Sequence, residues 1–181
     1  MPDLLGASPG TIAAFDDASW PEVQRIHAAG IAGGHATFDP ALPGAAQFFA
    51  SRVPELRLAW FAGTRGSGTD PQTAPMAGWI AATRVSPREV YRGVIEHSVY
   101  VDPAFAGQGI ARALLEKFFT NAKSLGYWTV QCSIFRENTA SQALHEKSGF
   151  RQIGYRERVG LMSYGPLAGQ WRDTLIYEKR L

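Results

Sequence analysis

Cysteine is almost missing from this sequence of 181 residues, which contains only Cys132. A single cysteine excludes an intramolecular disulfide framework and any multi-cysteine metal site, and we expect this side chain to pack inside a sheet. The four histidines do not indicate a metal site either, because no two of them stand at a metal-ligand spacing along the chain. No metal cofactor is therefore expected.

Long apolar runs and a charge excess are also missing. No apolar run approaches the ~18 residues of a membrane span, and the N-terminal stretch MPDLLGASPG has neither the basic nor the apolar region of a secretory signal. The formal net charge is only +2, and no dense Lys/Arg patch is interleaved with aromatic residues as nucleic-acid binding requires. We expect a cytoplasmic protein without nucleic-acid or membrane partners.

Two common nucleotide-binding motifs are absent as well. No Gly-Lys-Ser/Thr occurs, which excludes a P-loop. The G-x-G that begins at Gly107 is not followed by the third glycine of the dinucleotide fingerprint, and no acidic residue stands at a strand end ~20 residues further on. The nicotinamide-dependent and P-loop enzyme classes are therefore poor interpretations.

The composition that remains is ordinary for a globular protein, with 45% hydrophobic and 19% charged residues. The length suits one domain over residues 1–181, of which residues 1–18 carry no periodic signal and are expected to be a loose lead-in, residues 1–10 above all. Helical patterns occur at 20–33, 45–52, 111–124 and 138–149; strand patterns occur at 56–62, 76–85, 91–101, 128–134, 150–159 and 173–179, with a long loop at 63–75. This order predicts a mixed α/β sheet flanked by helices.

The most informative stretch is EHSVYVDPAFAGQGIA, residues 96–111. An alternating strand pattern turns at Asp102, passes a small-residue loop with Gly107 and Gly109, and enters a helical pattern at Ala111. Strand, glycine loop and helix in this order bring several backbone N–H groups and a helix N-terminus to one point, which favours a phosphate or pyrophosphate. Two glycines in a loop, taken alone, make an ordinary turn more often than a phosphate site.

Two ordered motifs, VYVDPAFAGQGIARALLE and FRENTASQALHEKSGF, resemble the GCN5-related N-acetyltransferases (GNAT). Within that superfamily they look most like the phosphinothricin (L-amino-acid) acetyltransferase branch. The resemblance covers nearly the whole chain, because IHAAGIAGGHATFDP is similar to the branch's first helix and substrate-side loop, YRGVIEHSVYV to its acid-bearing strand and GQWRDTLIYEKRL to its closing strand. It implies the GNAT fold, with acetyl-CoA bound at a splayed pair of central strands, a small-molecule amine as substrate, and a homodimer.

The resemblance also implies which residues would hold acetyl-CoA. Strand backbone would pair with the pantetheine arm, and amides of the loop and first helical turn would hold the pyrophosphate. One asparagine would lie near the pantetheine and one lysine near the acidic end of the cofactor. The residues assigned in this way are Val99, Tyr100, Val101, Gly107, Gln108, Gly109, Ile110, Ala111, Arg112, Asn138 and Lys147. Ala106 replaces an arginine or glutamine common in the family, which removes a side chain but no amide.

Glu96 is the candidate general base. An amine is protonated at neutral pH and must lose a proton before it attacks a thioester, and a strand carboxylate can accept that proton directly or through water. His145 stands where relatives outside the branch carry a tyrosine that protonates the departing CoA thiolate. It is expected to be either that acid or a structural residue, while His27, His35 and His97 are expected to be structural.

For the acceptor, Arg92 lies four residues before Glu96 and would clamp a substrate carboxylate if the strand already extends that far back. Phe38 and Trp79, with Tyr91, are expected to supply apolar walls. The favoured acceptor is the α-amino group of a small amino acid or analogue such as phosphinothricin, methionine sulfone or methionine sulfoximine. Two alternatives stay open: another amine (a polyamine, an arylamine or a protein N-terminus), and a CoA-binding sensor without catalysis.

Overall fold

A computed structural model describes residues 10–63 and 74–181. In chain order its main elements are β1 (Gly10–Ala14), α1 (Trp20–Ile31), α2 (Ala45–Ser51), β2 (Leu58–Ala62), β3 (Met76–Arg84), β4 (Val94–Val101), α3 (Ile110–Ser124), β5 (Thr129–Phe135), α4 (Thr139–Lys147), β6 (Arg151–Leu161) and β7 (Trp171–Arg180). Within these ranges the strands form one sheet in the order β1-β2-β3-β4-β5-β7-β6. The predicted mixed sheet flanked by helices is confirmed.

The sheet carries a hydrophobic core on each of its two faces. On β2, Leu58 and Trp60 join the core that α3 covers, while Ala59 and Phe61 join the core of α1 and α2. This division follows from strand geometry, because successive side chains point to opposite faces. Strands that are buried on both faces form the centre of the sheet. They hold β4 and the loop that follows it in a fixed position.

The first strand corrects the sequence-based prediction of a loose lead-in over residues 1–18. Gly10–Ala14 forms an antiparallel edge strand, with Ile12 opposite Trp60 of β2, and Phe15 follows it into the core. Five residues with mostly small side chains are too short to show the alternating pattern of a strand. Pairing with β2 therefore decides their conformation. Residues 1–9 and most of the loop predicted at 63–75 lie outside the described residues.

Membrane insertion finds no support in the helices of the described ranges. The longest of them is α3, with 15 residues, and none combines the length and apolar character that a bilayer crossing requires. Apolar side chains of α3 such as Leu114 and Phe118 are instead fully buried against the sheet.

Candidate active site

The centre of the site is a fork between β4 and β5, the two strands that pair in parallel. Their register covers three rungs and ends where Glu96 lies opposite Gln131. Beyond this rung β4 continues to pair with β3 and β5 with β7, so the two strands separate from each other. The fork leaves a cleft at their carboxyl ends.

A cavity of about 220 Å³ fills this cleft. Val99, Tyr100 and Val101 line it from β4, and Asn138 and His145 line it from the other side. Five residues that the family resemblance assigns to cofactor binding or catalysis thus surround one space. A strand edge along a cleft suits an extended ligand that hydrogen-bonds to the main chain.

The glycine loop leads from the cleft to helix α3. Gly107 and Gly109 have φ of 76° and 75°, a left-handed conformation that favours glycine, and Gly109 is the residue that precedes the helix. A Cβ at either position would meet nothing within 4 Å, so the space beside each glycine is open. The amides of Ile110, Ala111 and Arg112 begin the helix and have no acceptor in a preceding turn, which makes this end of α3 suited to an anion.

An ion pair fixes the start of the loop. The Arg25 guanidinium of α1 donates to Asp102 and also to the Met76 carbonyl at 3.1 Å, while the other Asp102 oxygen accepts from the Ala104 amide at 2.9 Å. Chiefly because of the hydrogen bond from Arg25, the pKa of Asp102 lies below its ordinary value. The loop is therefore tied to both α1 and β3.

A second cavity, of about 480 Å³, lies beside Glu96. Its walls include Phe38, Tyr100, Phe135 and Arg156, and the Phe38 ring packs edge-on against Phe135 with centroids 4.7 Å apart. This space combines apolar walls with the Arg156 guanidinium and the carboxylates of Glu96 and Asp39, which suits a ligand that carries both an ammonium and a carboxylate group. Phe38, which the sequence suggests as an apolar wall of the acceptor site, lines this cavity together with Glu96.

Two residues expected to contact the acceptor lie elsewhere. The strand begins only at Val94, after a short 3-10 turn (Glu89–Tyr91). Arg92 therefore does not share a strand face with Glu96; it pairs with Glu89 and stacks over Trp128. Trp79 is fully buried and supports Tyr100 from behind, with ring centroids 4.8 Å apart. The expectations for Arg92 and for Trp79 are therefore both corrected.

Arg156 is the arginine that sequence reasoning missed. It lies on β6 opposite Thr174 of β7 and lines the cavity that contains Glu96. No local motif marks it, because its position depends on how β6 pairs with β7 and how both strands reach the fork. A charged residue within a strand pattern is the only signal that the sequence carries.

His145 has a different environment from the one expected of a proton donor. Its side chain is buried, its Nδ1 lies 2.7 Å from the Ser141 carbonyl, and its Nε2 lies 3.1 Å from Nε2 of His97. Burial lowers the pKa of both imidazoles and raises that of the neighbouring Cys132 thiol. These three side chains come from β4, α4 and β5, so no spacing in the sequence links them.

Asn138 and Lys147 stand at the two ends of α4. Asn138 caps the helix by accepting from the Ser141 amide at 3.1 Å and donates to the His35 carbonyl at 2.8 Å. It therefore connects the cleft to the loop that carries Phe38. Lys147 is exposed at the last residue of α4 and lines neither of the two cavities.

A forked parallel pair, a glycine turn at a helix N-terminus and a carboxylate at the fork are features of an acyltransferase that uses a nucleotide thioester. Residues 44–150 match the family model of the acetyltransferase (GNAT) family. The chain belongs to this family and is an N-acetyltransferase.

Its relatives point to one branch of that family. Over 175 residues it is 29% identical to phosphinothricin N-acetyltransferase of Alcaligenes faecalis, an alignment that spans 94% of this chain and 82% of the relative. It is 28% identical over 129 residues to an L-methionine sulfoximine/L-methionine sulfone acetyltransferase of Salmonella typhimurium, spanning 69% of this chain and 72% of the relative.

Solved structures share the fold. A ribosomal-protein-alanine N-acetyltransferase from Brucella melitensis is 25% identical with a TM-score of 0.76, covering 94% of this chain and 99% of its own. A phosphinothricin acetyltransferase from Sinorhizobium meliloti, crystallised with acetyl-CoA, is 24% identical with a TM-score of 0.76, covering 95% of this chain and 88% of its own. The membership of the GNAT superfamily and the resemblance to the phosphinothricin branch are thus confirmed.

Proposed function

We propose that this enzyme transfers the acetyl group of acetyl-CoA to the α-amino group of a small amino acid or amino-acid analogue. The observation that carries the proposal is the position of Glu96, at the last rung of the fork, lining the larger cavity. Two relatives are named for the acetylation of phosphinothricin and of methionine sulfoximine or sulfone, which supports the same class of acceptor.

Acetyl-CoA would lie along β4 with its pyrophosphate at the glycine turn. The amides of Gly107, Gly109 and the first residues of α3 carry partial positive charge, which favours an anion there. The pantetheine arm would hydrogen-bond to the main chain of residues 99–101, opposite the edge that pairs with β3. Asn138 borders the same cleft, and Lys147 has no role in the proposal because it borders neither cavity.

The acceptor would occupy the larger cavity, with its carboxylate at Arg156 and its side chain against Phe38 and Phe135. A guanidinium binds a carboxylate with two parallel hydrogen bonds, which fixes the orientation of the ligand. The amino group would then lie toward Glu96. An amine without a carboxylate lacks this anchor, so amino acids are favoured over polyamines and arylamines.

Transfer would be direct. Glu96 takes one proton from the ammonium group, and the free amine attacks the thioester carbon while a backbone amide of residues 99–101 stabilises the oxyanion. As the C–S bond breaks, the second proton of the nitrogen is available to the departing CoA thiolate. His145 is not needed as the acid, and its burial beside His97 supports a role in shaping the cleft.

The two cavities share lining residues, among them Ala36, Ser98 and Ser133. This continuity supports transfer within a ternary complex without a covalent acetyl-enzyme. The single cysteine supports the same conclusion, because the buried Cys132 thiol has a raised pKa and is a poor nucleophile.

The experiment is a measurement of CoA release with a panel of acceptors. Phosphinothricin, methionine sulfone, methionine sulfoximine and common amino acids are compared with polyamines, arylamines and peptides with a free N-terminus. Release that depends on an α-amino acid is expected. Release only with amines that lack a carboxylate would overturn the acceptor class, and tight acetyl-CoA binding without turnover on any amine would identify a sensor.

We also propose a homodimer that buries the outer edge of the sheet. Large apolar side chains on β6 and at the start of β7 are 41–52% exposed, namely Ile153, Tyr155, Val159, Leu161 and Trp171. An exposed apolar edge strand is prone to pair with another strand, and such a patch marks an interaction surface. A second copy of this chain is the partner that the family resemblance favours.

A further inference from the structure

Three potential metal ligands meet behind the fork. His97 of β4, Cys132 of β5 and His145 of α4 are all buried, and one donor atom from each lies within 4.8 Å of the other two. The closest approach joins Nε2 of His97 to Nε2 of His145 at 3.1 Å. The fold thus creates a nitrogen, nitrogen and sulfur cluster that chain spacing did not predict.

The second ring nitrogen of each histidine faces a backbone carbonyl. Nδ1 of His97 lies 3.3 Å from the Gln131 oxygen, and Nδ1 of His145 lies 2.7 Å from the Ser141 oxygen. A carbonyl oxygen only accepts hydrogen bonds, so each Nδ1 donates to its carbonyl in the tautomer that carries the ring hydrogen there; the Ser141 hydroxyl also lies 3.3 Å from Nδ1 of His145. This is the arrangement that orients histidines bound to metals, where the outer N–H donates to a carbonyl or carboxylate.

The inner nitrogens of the two rings face each other, with the Nε2 atoms 3.1 Å apart. In the tautomer with its hydrogen on Nδ1, a neutral imidazole has a lone pair on Nε2 that can bind a cation. The thiol of Cys132 has no hydrogen-bond partner within residues 10–63 and 74–181, although it is buried beside them. A cation between the three atoms would satisfy both lone pairs and use the sulfur as a third ligand.

We propose that His97, His145 and Cys132 form a binding site for a borderline-soft divalent cation such as Zn²⁺. Zinc prefers imidazole and thiolate ligands in a tetrahedral arrangement, which places two nitrogens about 3.4 Å apart and nitrogen and sulfur about 3.6 Å apart. The observed spacing of 3.1 Å between nitrogens is close to this requirement. The thiol proton leaves to solvent as the Cys132 sulfur binds the cation.

The cation would reach the site through the smaller cavity, because all three side chains line it. Three protein ligands leave a fourth position open, on the side of the cleft where the thioester is proposed to lie. Because the proposed function places the thioester there, the bound cation would be an antagonist of acetyl-CoA, and this part of the inference rests on the proposed function. The site would therefore switch the enzyme off when the free cation rises.

The experiment is a titration of the metal-free full-length protein with Co²⁺, whose spectrum reports its ligands. One equivalent is expected to give the intense visible bands of tetrahedral cobalt and a thiolate-to-cobalt charge-transfer band. That band can come only from Cys132, since the chain has one cysteine. Zn²⁺ is expected to displace Co²⁺ and abolish both signals.

Cys132→Ala removes the sulfur ligand and should weaken Zn²⁺ binding by about 100-fold or more, since even the loss of an outer partner of a metal ligand costs roughly 10- to 100-fold. Cys132→Val is the second variant, because it fills the space if the smaller alanine unfolds the sheet. His35→Gln changes an exposed histidine outside the cluster and should keep both bands.

Octahedral cobalt spectra, or a zinc affinity that neither Cys132 variant changes, would overturn the site. Acetyl-CoA binding to the metal-free protein is measured separately by calorimetry, where one equivalent of Zn²⁺ is expected to weaken it at least about tenfold. Cation binding that leaves acetyl-CoA affinity unchanged would overturn the antagonism. Failure of acetyl-CoA to bind the metal-free protein would instead overturn the proposed function and leave the cation site standing.

Discussion

Glu96 and Gln131 form the last parallel rung between β4 and β5, and the Gln131 side-chain amide donates a hydrogen bond to the Glu96 carboxylate at 3.4 Å. The carboxylate is half-buried and stands where the two strands begin to separate. The same rung therefore ends the sheet pairing and holds the group proposed as the base. A rigid strand pair positions this carboxylate better than a loop would.

Glu96→Gln should lower kcat by about 100- to 10,000-fold, the range expected when a general base is removed. The amide keeps the shape and the contact with Gln131, so acetyl-CoA affinity should stay nearly unchanged. Steady-state kinetics with calorimetry measure both quantities. Glu89→Gln is the matched control, because that carboxylate is 83% exposed before β4. Equal turnover in the two variants would remove Glu96 from the mechanism.

Arg156→Met should raise KM for an amino-acid acceptor by about 10- to 100-fold, because a hydrogen bond to a charged group contributes roughly 1.5–3 kcal/mol. Arg92→Met removes an exposed arginine that stacks over Trp128 and should leave KM unchanged. The comparison uses one amino acid and its decarboxylated amine. A loss that is the same for both acceptors would show that Arg156 does not bind the carboxylate.

Gly109→Ala should weaken acetyl-CoA binding by about tenfold or more, since the left-handed conformation costs a residue with a Cβ roughly 1–2 kcal/mol and its relief moves the amides of the turn. Gly126→Ala is the matched control: its φ is 83°, and a Cβ there also meets nothing within 4 Å. Both variants should lose similar stability in urea denaturation. A normal acetyl-CoA affinity for Gly109→Ala would contradict the proposed pyrophosphate site.

His27 should make the protein less stable in mild acid. Burial lowers the pKa of this imidazole, so below the ordinary histidine value of ~6.5 the unfolded chain binds a proton that the folded chain resists. Its contribution to stability is complete above that pH and is lost as the pH falls toward the lowered pKa. Urea denaturation across this range should show a shallower decline for His27→Phe. Parallel declines would contradict the prediction.

Leu161→Lys should convert the proposed dimer to a monomer, because it places a charge on an apolar edge residue that is 51% exposed. Sedimentation velocity at several concentrations measures the change. Leu125→Lys is the control, since Leu125 is 46% exposed at the end of α3, outside that patch. A wild-type chain that sediments as a monomer, or a Leu161→Lys variant that stays dimeric, would exclude this surface.

The order of elements could be predicted from the sequence because its signals are local. The strand of residues 94–101, the turn at Asp102 and the helix after Gly109 follow each other directly within residues 94–124, and each has its own pattern. The five-residue strand Gly10–Ala14 was missed, because only its pairing with β2 gives it a strand conformation.

Side-chain neighbourhoods were predicted less well, because they depend on distant pairings. The strand start at Val94 separates Arg92 from the acceptor cavity, whereas the register between β6 and β7 brings Arg156 into it. His97, Cys132 and His145 meet only when β4, β5 and α4 are packed together. Spacing along the chain does not predict contacts of this kind.

The wall that the two cavities have in common has a consequence for inhibitor design. Because Ala36, Ser98 and Ser133 border both spaces, a bisubstrate compound with an amino acid tethered to the sulfur of CoA would fill both at once. Its second half would bind at the high effective concentration that a short tether provides. Its affinity would exceed that of either half, and the best tether length would measure the gap between amine and thioester in solution.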